Sequence, residues 1–159
     1  MSISHSAKVA VANKTGKKFK IQVLHQYTGD STEESSWVAV GPDETVEVMS
    51  VRYRTGFLTT GVDNWIVNGI EEIEVEGDIK LPEGLPIKKV GGKAHVDLRW
   101  HSGHGAGSDW KVHTLRSDDA DKTTVIAIYP TTIEFQSHSG TSSTTWKPEF
   151  DIFPNIGIN

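Results

Sequence analysis

The sequence of 159 residues predicts an all-β protein, an antiparallel β-sandwich of about eight to ten short strands. Apolar and polar residues alternate with a period of two in segments spread along the whole chain. Clusters of Gly, Pro, Asn, Asp and Ser interrupt these segments at the roughly 8–12-residue spacing that is typical of sandwiches and barrels. No window of helical length keeps a 3.6-residue period, so we expect less than about a tenth helix, against the usual ~30–35%.

The first two predicted strands flank a polar turn at residues 13–17. Val9 and Val11 place apolar side chains on one face of the first strand. After the turn, residues 19–27 carry an apolar or aromatic residue, or a histidine, at every second position, as a half-buried strand does. Because the two strands are joined by a short turn, we predict that they pair as a hairpin.

The middle of the chain contains a change of phase. A polar segment at residues 28–36 is predicted to be an exposed loop, and a short strand follows at residues 37–40. Val46 and Val48 then continue the alternation, but Met49 and the apolar residues after it occupy the opposite parity. A β-bulge near Val48 or Met49, or burial of both faces, would explain the switch.

The second half continues the pattern of short strands. Residues 95–100 alternate cleanly, and a glycine-rich stretch follows at residues 101–109. Residues 123–129 are almost uniformly apolar in their middle, which is typical of a strand that lies centrally in a sheet. We find no linker and no internal repeat, and we therefore expect a single domain over residues 1–159.

Composition excludes several classes of function. The net charge of −5 and the pI of about 5.8 argue against non-specific nucleic-acid binding, which needs a basic footprint. The absence of cysteine excludes disulfides, thiolate catalysis and cysteine-based zinc sites. No signal peptide and no apolar run of the ~20 residues that span a membrane are visible, so we expect a protein that is cytoplasmic or released without such a signal. No glycine-rich phosphate loop precedes a helix, and we expect no cofactor.

Four metal-binding residue types lie close together in the second half. They are His95, Asp97, His101 and His104. Histidine and aspartate are good ligands for zinc and other transition metals, and His95 and Asp97 share one face of a strand. The spacing matches no standard ligand motif, so exposed polar positions on a strand and a glycine loop explain the same residues.

Two segments rich in turn residues are candidates for ligand binding. The first runs over residues 55–65, and the second is the acidic turn at residues 117–121. We expect them to be neighbours and to contribute polar contacts, because loops on a rigid sandwich are where binding usually occurs. An Asx turn that positions a core tryptophan and a solvated turn are the structural alternatives. The candidate ligand-binding residues are Thr55, Asp63, Asn64, Trp65, Asp118 and Asp119.

Four short stretches of the chain resemble the "up-regulated in Daf" domain family of small fungal and nematode proteins. They are residues 11–16 (VANKTG), residues 55–65 from TGF to DNW, residues 111–119 (KVHTLRSDD) and residues 139–142 (SGTS). The resemblance implies a compact β fold and supplies no catalytic residue. The chain is also similar, more distantly, to the actinoporin-like sandwiches of fungal lectins and pore-formers, which open with an Asn-x-(Ser/Thr)-Gly turn.

These observations lead to one expected function and two open alternatives. We expect a non-enzymatic binding module, lectin-like or defence-related, with a carbohydrate or another protein as its partner. Sugar sites combine hydrogen-bonding groups with an aromatic platform, and the segment at residues 55–65 offers both. The alternatives are a metal-dependent enzyme built on the His95 cluster and a membrane-active protein of the actinoporin kind, so membrane contact stays open.

Overall fold

The computed structural model describes residues 2–56, 59–76, 87–90, 93–103 and 109–149. These residues form thirteen β-strands and one short 3-10 helix. The strands are β1 (Ile3–Asn13), β2 (Phe19–Tyr27), β3 (Glu33–Glu34), β4 (Val38–Val40), β5 (Thr45–Thr55), β6 (Asp63–Glu76), β7 (Ile87–Val90), β8 (Lys93–His101), β9 (Lys111–Val112), β10 (Thr123–Ile128), β11 (Thr132–Ser137), β12 (Gly140–Thr145) and β13 (Lys147–Pro148). The 3-10 helix spans Ser117–Asp119.

The all-β fold class is confirmed, and the strands form two sheets that pack together. The first sheet has the order β12-β11-β10-β1-β5, and the second has the order β13-β8-β6-β2-β3. Strands β4, β7 and β9 extend the second sheet by pairing with β2, β8 and β6. The strand count exceeds the predicted eight to ten, in part because the two-residue strand β3 pairs with β2 inside the segment at residues 28–36 that was predicted to be a loop.

The predicted hairpin between the first two strands is wrong. β1 pairs with β5 and β10 in the first sheet, whereas β2 pairs with β3, β4 and β6 in the second. The turn therefore carries the chain from one sheet to the other. The buried Asn13 amide holds this crossing by donating to the carbonyl oxygens of Lys17 at 2.6 Å and Val40 at 2.9 Å. Val11 and Ile21 consequently reach the same core from opposite sheets.

The change of phase in the middle of the chain is a β-bulge. Val9 pairs with Met49, and Ala10 pairs with Glu47, so Val48 is the extra residue on β5. Bulges invert the alternation because one added residue shifts every later side chain to the other face. The predicted bulge at this position is confirmed.

Strand β10 lies inside the first sheet, between β1 and β11, as its apolar sequence predicts. Its pairing with β1 is parallel, whereas the other strand pairs described are antiparallel. Ile126 and Ile128 are buried, together with Ala127 between them. Burial on both faces explains why this strand reads as a continuous apolar run.

Aromatic side chains fill the space between the sheets. Trp65 and Trp146 are the largest of the fully buried side chains, and Phe135 contacts Trp65 with ring centroids 5.8 Å apart. Gly69 lies directly beneath the Trp146 ring, where an added Cβ would come within 2.6 Å of the indole. Any side chain at position 69 would therefore displace this part of the core.

Candidate functional site

A polar groove lies where the end of β5 meets the turn that follows β2. Its volume is about 610 Å³. The first sheet supplies one wall through β1 and β5, and the second sheet supplies the other through residues 29–33. The groove is lined by Ser4, Gly29, Asp30, Ser31, Glu33, Arg52, Tyr53 and Arg54.

An ion pair connects the two walls of the groove. The Arg54 guanidinium lies 2.7 Å from the Asp30 carboxylate, and its carbon lies 5.2 Å from the centroid of the Tyr27 ring. Gly29 permits the approach of this turn, since its φ of +85° is a conformation that other residues rarely adopt. Both partners are part-exposed, so we expect the pair to orient the turn more than to stabilise the fold.

The buried His25 side chain contacts Glu33, one of the residues that line the groove. The His25 ring, fully buried, contacts the Glu33 carboxylate through Nδ1 at 2.9 Å and the Asp63 carboxylate through Nε2 at 2.6 Å. The His25 ring therefore lies between two carboxylates, one on β3 and one on β6. Glu33 also accepts a hydrogen bond from the Arg52 backbone N–H at 3.0 Å. Glu33 therefore joins the second sheet to the edge strand of the first.

Tyr53 forms a neutral part of the groove. Its phenol donates to the carbonyl oxygen of Arg116 at 2.8 Å. Burial raises the pKa of Tyr53, and the negative charges of Asp119, Asp63 and Asp121 raise it further. The phenol therefore stays protonated and acts as a hydrogen-bond donor to the backbone.

Asp63 and Trp65 are wholly buried at the start of β6 and not presented by a loop. The Asp63 carboxylate accepts hydrogen bonds from His25 and from the Leu115 backbone N–H at 2.9 Å. The Trp65 indole N–H donates to the carbonyl oxygen of His113 at 2.9 Å. This placement matches the structural alternative, in which the turn positions a core tryptophan. Asn64 is part-exposed, and its amide donates to the carbonyl oxygen of Gln26 at 3.3 Å.

The acidic turn contains one exposed and one buried carboxylate. Asp118 is exposed, whereas Asp119 is buried and accepts hydrogen bonds from the Arg116 N–H at 2.7 Å and from the Ser139 N–H and hydroxyl at 2.9 and 2.5 Å. Burial raises the pKa of Asp119, but these hydrogen bonds outweigh it, so the net pKa lies below the ordinary value. Thr55, at the end of β5, lies 2.7 Å from the His5 ring.

His113 fastens the segment before the acidic turn to the first sheet. Its Nδ1 lies 2.6 Å from the Ser142 hydroxyl and its Nε2 lies 2.8 Å from the Ser137 hydroxyl. The Ser137 hydroxyl donates to the carbonyl oxygen of Gly140, so it accepts from Nε2–H, and Ser142 donates to Nδ1. Burial lowers the pKa of His113, and the charge of Lys111 lowers it further. The imidazole is therefore neutral in this network.

The candidate metal ligands are only partly within the described residues. Asp97 is exposed on β8, and His101, at the end of the same strand, lies 3.0 Å from the Asn68 amide oxygen. His95 pairs with Glu74 along the backbone, and its side chain lies outside the described part, as does all of His104. Within the described part of the chain, no three His, Cys, Asp or Glu side chains are grouped as a metal site would require. The metal site stays a prediction.

A comparison with known families matches most of the chain. Residues 3–146 match the family described as up-regulated in long-lived daf-2. The chain belongs to this family. Comparison with curated proteins gives no match. Asp63, His113, Asp119 and Ser139 belong to three of the motifs that carry the resemblance, and hydrogen bonds connect these three segments inside the sandwich.

The cationic side of the groove was not anticipated from the sequence. Arg52 and Arg54 alternate with buried Val51 and Tyr53, so the period-two pattern already places both arginines on the outward face of β5. The strand that pairs with β5 was not predicted, because β1 was wrongly assigned to a hairpin with β2. With β1 on β5, Ser4 lies opposite Arg54 and completes the wall. No described residues form a helix with the length and apolar character needed to cross a membrane.

Proposed function

We propose that the chain is a non-catalytic binding module whose groove takes a carbohydrate. The observation that supports this function is the chemistry of the groove, in which hydroxyl, carboxylate and guanidinium groups surround a concavity of about 610 Å³. Ligand sites commonly measure roughly 300–1,000 Å³ and use a few placed polar groups for orientation. Sugars offer many hydroxyls, and charged planar groups are strong hydrogen-bond partners for them.

Preorganisation of the charged groups also favours recognition. Asp30 is already bonded to Arg54, and Glu33 is already bonded to His25. Side chains that are held before a ligand arrives lose less conformational freedom on binding. A polar ligand therefore meets groups whose positions are fixed by the two sheets.

A glycan array tests this function with two matched variants. Ser31→Trp places a bulky side chain at the exposed lip of the groove, whereas Ser143→Trp makes the same change at an exposed position on β12. We expect wild type and Ser143→Trp to bind the same glycans, and Ser31→Trp to lose at least about tenfold in affinity, the equivalent of ~1.4 kcal/mol. Undiminished binding by Ser31→Trp would show that the glycan does not bind in the groove. An array without any bound glycan would show that the ligand is not a carbohydrate.

A further inference from the structure

Hydroxyls and cations alternate on the outer face of β1 and β5, beside the groove. Residues that lie directly opposite each other in an antiparallel pair share a face of the sheet, as do residues two apart along a strand. The cross-strand pairs are Ser4 with Arg54, Ser6 with Arg52, and Lys8 with Ser50. We call these six residues the Ser/Arg ladder.

The Ser/Arg ladder is open to solvent and regular in spacing. Its members are exposed except Arg54, which is part-exposed and lines the groove. The register runs without a break along the ladder and shifts only after Val9. Successive side chains along each strand are therefore roughly 7 Å apart, with the partner strand about 5 Å away.

Two of the three cations in the ladder are available to a ligand. Arg54 is bonded to Asp30. Among the described residues, no hydrogen bond or ion pair engages the side chains of Lys8 or Arg52. Carboxylates lie around the ladder: Glu47 pairs with Ala10 beyond the bulge, and the Glu33 carboxylate accepts from the Arg52 backbone N–H. Asp121, whose N–H donates to the carbonyl oxygen of Ser6, is followed by Lys122. The ladder itself contains three cations and no carboxylate, in a chain whose net charge is −5.

We propose that the ligand of this surface is an acidic glycan, one that carries carboxylate or sulfate groups. Arg52 and Lys8 bind the anionic groups, and the serines between them bind the sugar hydroxyls. The inference rests on the proposed function and extends it, since the same Arg52 lines the groove and belongs to the ladder. Guanidinium groups recognise carboxylate and sulfate-like anions in paired hydrogen bonds, which gives specificity over neutral sugars.

The surroundings of the ladder favour a glycan over an anionic membrane. Membrane-surface binding needs apolar side chains that enter the lipid next to the cations. In the described part of the chain the large hydrophobic residues that are exposed are Ile3, Trp37 and Val112. Ile3 has the opposite parity to Ser4 on β1, and Trp37 and Val112 belong to the side of the second sheet. The ladder itself presents only polar groups.

Binding to polygalacturonate tests the proposal, because its fully methyl-esterified form offers the same sugar without charge. The variant is Lys8→Gln with Arg52→Gln, and the control is Lys20→Gln with Arg99→Gln. Both double variants remove two exposed cations, but the control pair lies on the second sheet. Vesicles of phosphatidylserine and phosphatidylcholine are measured in parallel, and circular dichroism verifies that each variant folds.

We expect polygalacturonate to bind wild type and the control alike, and the ladder variant about tenfold or more weakly, since that variant lacks both cations that bind the anionic groups. Binding should also weaken as salt is raised. Equal loss in both double variants would show a non-specific charge effect and overturn the proposal. A preference for the methyl ester or for another neutral glycan would overturn the acidic-glycan proposal. If Ser31→Trp still blocked that binding, the proposed function would stand. Binding to vesicles alone would assign the ladder to lipid, and binding to neither polygalacturonate nor vesicles would overturn the acidic-glycan proposal. The proposed function fails separately, if the glycan array shows no bound glycan.

Discussion

Several buried polar side chains lie in the segments by which this chain resembles its family, among them Asp63, His113 and Asp119. Asp63 has no exposure and accepts hydrogen bonds from an imidazole and a backbone N–H. A buried carboxylate that satisfies two donors cannot be removed without leaving both donors unpaired. The sequence predicted a turn around Asp63, but it did not predict that the Asp63 carboxylate would face the interior. The partner His25 lies 38 residues away.

Removal of the Asp63 carboxylate should destabilise the fold severely. We expect Asp63→Ala to lower the free energy of unfolding by about 3–5 kcal/mol, because His25 and the Leu115 N–H lose their acceptor. The matched control is Asp118→Ala, at an exposed aspartate, which should change stability by no more than about 0.5 kcal/mol. Urea denaturation measures both. Equal midpoints for Asp63→Ala and wild type would show that Asp63 is free to serve a ligand instead.

At the scale of the elements, long-range pairing decides what the sequence pattern leaves open. The bulge at Val48 and the central position of β10 were predictable, because each depends on the local parity or apolarity of one segment. The assignment of β1 was wrong because adjacency in sequence favours a hairpin, whereas the Asn13 side chain bonds the turn to Val40 and takes the chain to the other sheet. No local pattern distinguishes a turn within a sheet from a turn between sheets.

The contacts of His113 with Ser137 on β11 and Ser142 on β12 should weaken at acidic pH. His113 is neutral between Ser137 and Ser142, and its pKa is lowered chiefly by burial. The unfolded chain binds a proton at the ordinary histidine pKa of ~6.5, and the folded chain does so only at lower pH. Stability is therefore full above that value and is lost as pH falls towards the folded pKa.

Ring proton shifts in NMR measure this titration directly. We expect the midpoint of His113 to lie below that of a histidine in an unfolded peptide, and the free energy of unfolding to decrease as pH falls below about 6.5. The variant His113→Gln removes the titrating group at some cost in stability, and its unfolding free energy should depend less steeply on pH over the same window. A His113 midpoint at or above the peptide value would contradict the neutral assignment.

At the scale of the whole molecule, the segments that resemble the family and the surface proposed to bind a ligand lie in different places. Three of the segments that resemble the family are connected by buried and part-buried hydrogen bonds, whereas the Ser/Arg ladder lies at the edge of the first sheet, beside the groove. The fold class could be predicted because it depends on periodicity over the whole chain. The groove could not, because it needs Ser4, Asp30 and Arg54 together, and their proximity follows from the pairing of β1 with β5 and from the turn after β2.

Chemical-shift mapping with an oligogalacturonate tests the location of the binding site most directly. Titration of ¹⁵N-labelled protein should shift the backbone amides of residues 4–8, 29–33 and 50–54, which form the groove and the ladder. Amides of residues 140–143 on β12, and of Lys20 and Arg99 on the second sheet, should keep their chemical shifts. Shifts centred on those control positions, with the amides of residues 4–8 and 50–54 unchanged, would contradict the account.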